Sequence, residues 1–502
     1  MNATEPMLEK KVTSRIPTAI AYCYFAVPFL IFAAGWFNLP AALIATVLVT
    51  SGTVLAIHSA PRTDVTVFTK ARNIVPLLAA VVLGAVWVFY SGIGGFTFQN
   101  SDFRWRNALL KLLVEQEWPV IVTETAPYYE GPVALVYYFA FWLPSALVGK
   151  AFGLHAAELC LYFWSVLGVL LVFYFLCQVR GKFTFTPLIL FIFWGGLDVV
   201  GMILFYNSSA PMFFNTQHIE NWAWGFQYSS ITTQLYWVFN QAIPAWLLTL
   251  LLLSAEDNKN RVYIYGFSLI FCTLPAIGML PVVACLVLTR LVRQFRARDR
   301  KKKFSVCLWA MAEELFTPQN VLAGGFVGLS SFLFLRINAN GTTMVANDMK
   351  RLMASYLIFV LLEAVIYFIV IWRAERTNVL YYLSLILLLF FPFIKVGEHV
   401  DFVMRASIPA MVILCTLLIE SLDRYTAERK RLLAVVLVCL LVLGSFSAVH
   451  ELMRSLNNSV AAIAAGKPAP VEEAVDLLRD SKRANFFAEY ENSLFYRLLG
   501  KK

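Results

Sequence analysis

The stretch LLAVVLVCLLVLGSFSAV, residues 432–449, runs for eighteen positions without a charge, between Arg431 and the pair His450-Glu451. A helix needs roughly 17–25 predominantly apolar residues to cross a hydrocarbon layer ~30 Å thick. A helix lying on a soluble core would keep a polar face, and this stretch has none. Within lipid, a helix satisfies its own backbone over one segment, whereas barrel strands would alternate over about ten residues. Working outward, comparable apolar runs occur at about 17–36, 39–58, 74–92, 132–149, 155–177, 184–206, 238–254, 262–274, 276–289, 319–336, 352–372, 378–395 and 406–422. Composition agrees: 60% of the 502 residues are hydrophobic and 14% are charged, with a mean hydropathy of +0.69. The predicted fold class is all-α, a polytopic transmembrane helix bundle whose first partner is the lipid bilayer.

Charge orients the runs. The N-terminus and segments 59–73, 178–183, 255–261, 290–303, 373–377 and 423–431 hold 24 of the 41 Lys and Arg residues. The positive-inside rule puts them in the cytoplasm. The net charge of +10 is then a matter of topology, and nucleic acid is not an expected partner. Segments 91–130, 207–237, 337–351, 396–405 and the tail from 450 fall outside. A cytoplasmic N-terminus and an extracytoplasmic C-terminus require an odd number of crossings. Segment 132–149, interrupted by Pro144, is predicted not to cross, which leaves about thirteen; 262–289 is expected to be a hairpin split at Pro275. The result is a multi-pass protein of the cell membrane. Residues 1–450 form the transmembrane domain, with an outer loop at 91–131, and 451–502 form a short extracytoplasmic tail with a helical pattern from Val471.

The eight cysteines lie in or beside apolar runs without a CxxC pair, so neither disulfides nor structural zinc are expected. No phosphate loop, dinucleotide fingerprint, HExxH or GxSxG occurs, which disfavours a nucleotide-driven pump or a soluble-type hydrolase. No cofactor and no metal site is predicted.

Ionisable and aromatic residues gather in the outer segments. In the loop 91–131, Trp105, Ala108, Leu109, Leu112 and Leu113 share one face of a predicted interfacial helix, with Arg104, Arg106, Lys111 and Glu115 on the other. Asp102 stands at its start and suits either a general base for an acceptor hydroxyl or an N-cap. The neighbouring arginines could hold a phosphate. A second group, Gly195-Gly196-Leu197-Asp198, puts a carboxylate within an apolar run, where it needs a partner or a cavity; Glu363, mid-run, raises the same question. A third group, QHIENWAW (217–224) continuing to Gln227, Tyr228, Ser229 and Ser230, mixes aromatic rings with His218, Glu220, Trp222 and Gln227. Rings alone would be an interfacial belt, but rings with amides and carboxylates also suit sugars. The fourth is Lys395, Glu398, His399, Asp401 and Arg405, with Arg405 at the level of lipid phosphates, either as a snorkelling anchor or as a ligand.

These stretches together resemble the GT-C superfamily of membrane glycosyltransferases. The resemblance is carried by FQNSDFRWRNALLKLLVEQEWPV (98–120), YYEGPVALVYYFAFWLPSALVGK (128–150), GGLDVVG (195–201), HIENWAW with QYSS (218–230) and DFVMRASIP (401–409), and covers about residues 74–450. Two features depart from the family pattern. The acidic loop follows the third run and not the first, and a single acidic residue stands at 102 where the family has an adjacent pair. The resemblance implies a many-span bundle that takes sugar from a polyprenyl-phosphate carrier and passes it, outside the cytoplasm, to an envelope glycan or lipid. It also implies Asp102 as base and Arg405 with Arg104 on the donor phosphate. His218, Glu220, Trp222, Gln227, Asp198 and Asp401 are the expected substrate-binding residues. A transporter or flippase, or a polymerase or ligase of lipid-linked saccharides, are the alternatives, and charged residues inside the spans discriminate between them.

Overall fold

The computed structural model describes residues 12–501 apart from 71–72, 124–130, 207–217, 224, 298–303, 342–343 and 397–399. Tyr128, Tyr129, Gln217, Trp224, Glu398 and His399, named or quoted above, lie outside the described residues. The protein is mostly helical. Among the described residues nine helices are long and apolar enough to cross a membrane, including Ile16–Trp36, Leu154–Arg180 and Arg431–Ala464. It is a multi-pass membrane protein.

Local chemistry sets the boundaries of the helices. Asn38 accepts from the Ala41 amide at 3.0 Å and starts Leu39–Ser59 directly after Ile16–Trp36. Gly153 (φ +89°) separates the ten-residue helix Leu143–Phe152 from Leu154–Arg180, which ends at Gly181 in the left-handed region. Both positions suit glycine because a Cβ would strain them. Ten residues rise about 15 Å, too little to cross. Segment 132–149 is a strand (Val133–Leu135), a 3₁₀ turn and this short helix. The 262–289 hairpin exists, with Arg261 donating to the Leu286 carbonyl and Tyr265 to that of Ala276. Its break is at Cys272 (φ −152°, ψ 73°), not Pro275, which sits in the first turn of Thr273–Arg296, where a proline is tolerated.

Ile231–Ser254 is buried along nearly its whole length and forms the centre of the bundle. Leu39–Ser59 and Ile74–Phe89 instead keep exposed apolar side chains such as Val47 and Val75, as a lipid-facing surface would. On one face strand Thr13–Ser14 pairs with Thr63–Asp64, Arg180 binds Asp423, and Arg290 binds Glu314. On the other, residues 37–38, 91–123, 131–142, 338–341, 344–347, 391–396, 400–405 and the described part of the tail come together.

The tail departs from expectation. The last helix runs on past 450 to Ala464, and no helix starts at Val471. Residues 470–475 bond instead to the outer loop: the Pro470 carbonyl accepts from the Gln99 amide, Glu472 exchanges bonds with Gln99 and Asn107, and the Val475 amide donates to the Arg104 carbonyl. Strand Phe487–Glu489 joins Val133–Leu135 and Ile121–Val122 in a three-stranded sheet. Phe495 is buried among Phe32, Phe37 and Phe334. The tail is a cover folded over the outer loop.

Candidate functional site

Asp102 precedes the helix Phe103–Glu115 but makes no side-chain capping bond. Its Oδ2 accepts from Arg106 Nη2 at 3.1 Å, one turn later. Its amide donates to Asn100 Oδ1, and the Asn100 side chain donates to the Tyr236 carbonyl, tying this turn to the central helix. Arg106, expected on the polar face, turns inward with 11% of its side chain exposed. Its guanidinium lies 5.4 and 5.6 Å from the rings of Phe103 and Phe239. Burial draws its pKa below the ordinary arginine value, against the pull of Asp102. The apolar stripe of this helix packs on protein: Ala108, Leu109 and Leu113 are buried, while Trp105 donates to Asp480 of the tail.

Arg405 arrives from far along the chain on the helix Asp401–Ala406, with Asp401 Oδ1 3.3 Å from its Nη2. It lies in the electrostatic field of Asp102, Tyr137 and Tyr138, and Arg106 lies in the field of the same three groups. The two tyrosine rings stack at 3.9 Å, and Gln241 donates to the Tyr138 hydroxyl at 3.2 Å. Two buried donors in this group, Arg106 Nη1 and Arg405 Nε, have no acceptor. Leaving such donors unpaired is costly, and an anion would satisfy them. Arg104 is elsewhere. It is exposed, its guanidinium lies over Trp105, and its charge acts on Asp480 of the tail. Arg106, not Arg104, is the arginine beside Asp102.

The third sequence group forms a separate, buried network. His218 Nδ1 lies 2.8 Å from Glu451 Oε1, and its Nε2 lies 3.5 Å from Glu220 Oε2. Glu220 also accepts from Gln227, Thr233 and the Ser230 amide. Glu451 accepts from Arg454 at 2.7 Å and from the Trp237 indole at 3.2 Å. Burial alone would lower the His218 pKa, but the bonds and charges of Glu220 and Glu451 outweigh it and raise the value to about 10. Burial pushes Glu220 up, and His218 overrides that to hold it below the ordinary carboxylate value. Trp222, stacked on Phe205, donates to Asp198 Oδ1, whose other oxygen accepts from Ser447. Among the described residues no hydrogen bond or ion pair joins this network to the Asp102 cluster. The central helix touches both, through Trp237 on one side of the distorted residue Val238 and through Phe239 and Gln241 on the other.

No family model, curated protein or solved structure matches this chain. The geometry therefore carries the assignment alone. A cavity of about 750 Å³ lies on the same face, between Arg336, Ile337 and residues 489–494, and shares no residue with either cluster. We place the candidate site at Asp102, Arg106 and Arg405, where among the described residues two buried guanidinium groups have donors without acceptors and the carboxylates stay partly exposed, whereas the His218 network has one such donor, Arg454 Nε, and fully buried carboxylates. Among the described residues no group of three metal-ligating side chains occurs. Sequence reasoning passed over Tyr137 and Tyr138, hidden in an apolar run, and Glu451 and Arg454, taken as tail although helical spacing from residue 432 would have carried them into the bundle.

Proposed function

We propose that this chain is a GT-C-type glycosyltransferase of the cell membrane, moving a sugar from a polyprenyl phosphate to an envelope glycan or lipid on the extracytoplasmic side. The observation that supports it most is the meeting of Arg405 with Asp102 and Arg106, from distant parts of the chain, around buried donors that lack an acceptor. In the proposed step the acceptor hydroxyl oxygen attacks the anomeric carbon and its proton passes to the Asp102 carboxylate. The bond from that carbon to the phosphate oxygen breaks, and the electron pair leaves with the phosphate. Arg405 and Arg106 stabilise the charge that develops there, as preorganised donors do. Arg106 also holds the carboxylate in place, and the stacked tyrosines offer a face for a sugar ring. A lipid-linked donor presents its sugar at the outer membrane surface, which is the level proposed for this cluster.

The orientation follows from the basic face being cytoplasmic. Asp102→Asn tests the chemistry. It preserves shape, and no capping bond is at stake. Turnover with a polyprenyl-phosphate sugar is expected to fall by roughly 10²-fold or more while donor binding stays nearly unchanged. Full turnover by the variant would remove Asp102 from the mechanism.

A further inference from the structure

The span Thr186–Phe205 is broken at residues 194–197, within GGLD, where the backbone is not helical. Facing the break, Leu352–Glu375 carries a π-helical turn at Leu361–Val365. The two irregularities are joined: the Leu197 amide donates to the Leu362 carbonyl, and the Tyr367 hydroxyl donates to the Gly195 carbonyl at 2.9 Å. Glu363 lies in the π-turn with no exposed surface, and Asp198 is 2% exposed. Glu363 is pressed onto the broken segment so closely that a Cβ on Gly196 would come 1.5 Å from its Oε2. Broken spans and π-turns both concentrate where membrane proteins hold ions.

The charge balance here is incomplete. Asp198 accepts from Trp222 and Ser447, whereas neither oxygen of Glu363 has a well-aligned hydrogen bond among the described residues, and the polar groups that face it are the Trp222 indole and the Asp198 carboxyl. Among the described residues no lysine, arginine or histidine forms an ion pair with either acid. Glu220 and Glu451 nearby are compensated by His218 and Arg454. Two carboxylates without a counter-charge are too costly to bury in a span. We propose that Asp198 and Glu363 form a binding site for one exchangeable monovalent cation, a sodium ion or a proton, at the junction of the broken helix and the π-turn. Hard oxygen ligands suit either occupant. The other titratable groups facing the pair are Glu220, itself paired with His218, and the hydroxyls of Tyr228 and Tyr367. The site is independent of the sugar chemistry.

The test uses full-length protein in nanodiscs, with sodium chloride titrated against a choline chloride background and proton uptake measured on acidification from about pH 9 to about pH 5. Saturable sodium binding that weakens by about 10-fold or more in Glu363→Gln and in Asp198→Asn identifies sodium as the occupant. If sodium does not bind, the loss in Glu363→Gln of one proton taken up by the wild type identifies a proton. Wild-type protein that binds no sodium and takes up no more protons than folded Glu363→Gln or folded Asp198→Asn overturns the site. So do variants that bind sodium and take up protons as the wild type does. Sugar transfer enters neither readout, so the outcome is separate from that of the catalytic proposal.

Discussion

Around Asp102, two guanidinium groups carry donors with nothing to bind, and the carboxylates of Asp102 and Asp401 remain 31% and 47% exposed. Around His218 the carboxylates are fully engaged: Glu220 and Glu451 are each 1% exposed and each accepts from several donors, and a single guanidinium nitrogen, Arg454 Nε, lacks an acceptor among the described residues. Both groups combine acids, bases and aromatic rings, and both touch the central helix. They differ in how completely their polar atoms are satisfied. A saturated network contributes stability and a defined geometry, whereas an unsaturated one is prepared for a ligand. In sequence the His218 group looked richer; in the folded protein the Asp102 group retains more capacity to bind.

The comparison breaks most visibly at Glu451. Glu451→Ala would leave protonated His218 and Arg454 buried without this partner, and unfolding in detergent should show a loss of about 3–5 kcal/mol. An effect below about 1 kcal/mol would mean that the network is not saturated by Glu451. Next comes Arg405→Ala, expected to weaken polyprenyl-phosphate binding by about 1.5–3 kcal/mol with little change in unfolding. The exposed Arg104→Ala serves as control and should stay within about 0.5 kcal/mol on both measures. Equal losses of binding in the two variants would erase the distinction between Arg104 and the inward-facing arginines.

A third effect is in pH. The folded His218 pKa, about 10, lies above its ordinary 6.5. Its contribution to stability is therefore complete below about pH 6.5 and is lost as pH rises through about 10. Stability difference curves between wild type and His218→Gln should converge across that window. Curves that stay parallel would indicate that His218 is not held in its protonated form.

Much of the bundle was legible because an uncharged run of twenty residues has few other fates. The hairpin at 262–289 followed from its two short runs, although it breaks at Cys272 and not at Pro275, and the interruption of 132–149 was legible at Pro144, in the first turn of Leu143–Phe152. The tail was misjudged because its backbone partners, Gln99, Arg104 and Asn107, are several hundred positions away, and local periodicity carries no trace of them. The orientation of Arg106 was lost for a related reason. Residues two apart stand on nearly opposite sides of a helix, so Arg106 leaves the face of Arg104, and the rings of Phe103 and Phe239 and the carboxylate of Asp102 draw it inward. Convergence of Arg405 on Asp102 was expected from the shared outer placement of their loops and from a family resemblance, since separation along the chain says nothing of proximity.

The central claim is that the Asp102 cluster, and not the His218 network, receives the donor phosphate. A density map of the protein in nanodiscs with added polyprenyl phosphate tests it directly. The account predicts a phosphate within about 4 Å of both the Arg106 and the Arg405 guanidinium groups, the range of a close ion pair. A phosphate bound elsewhere on the outer face, with those two arginines unoccupied, would contradict it.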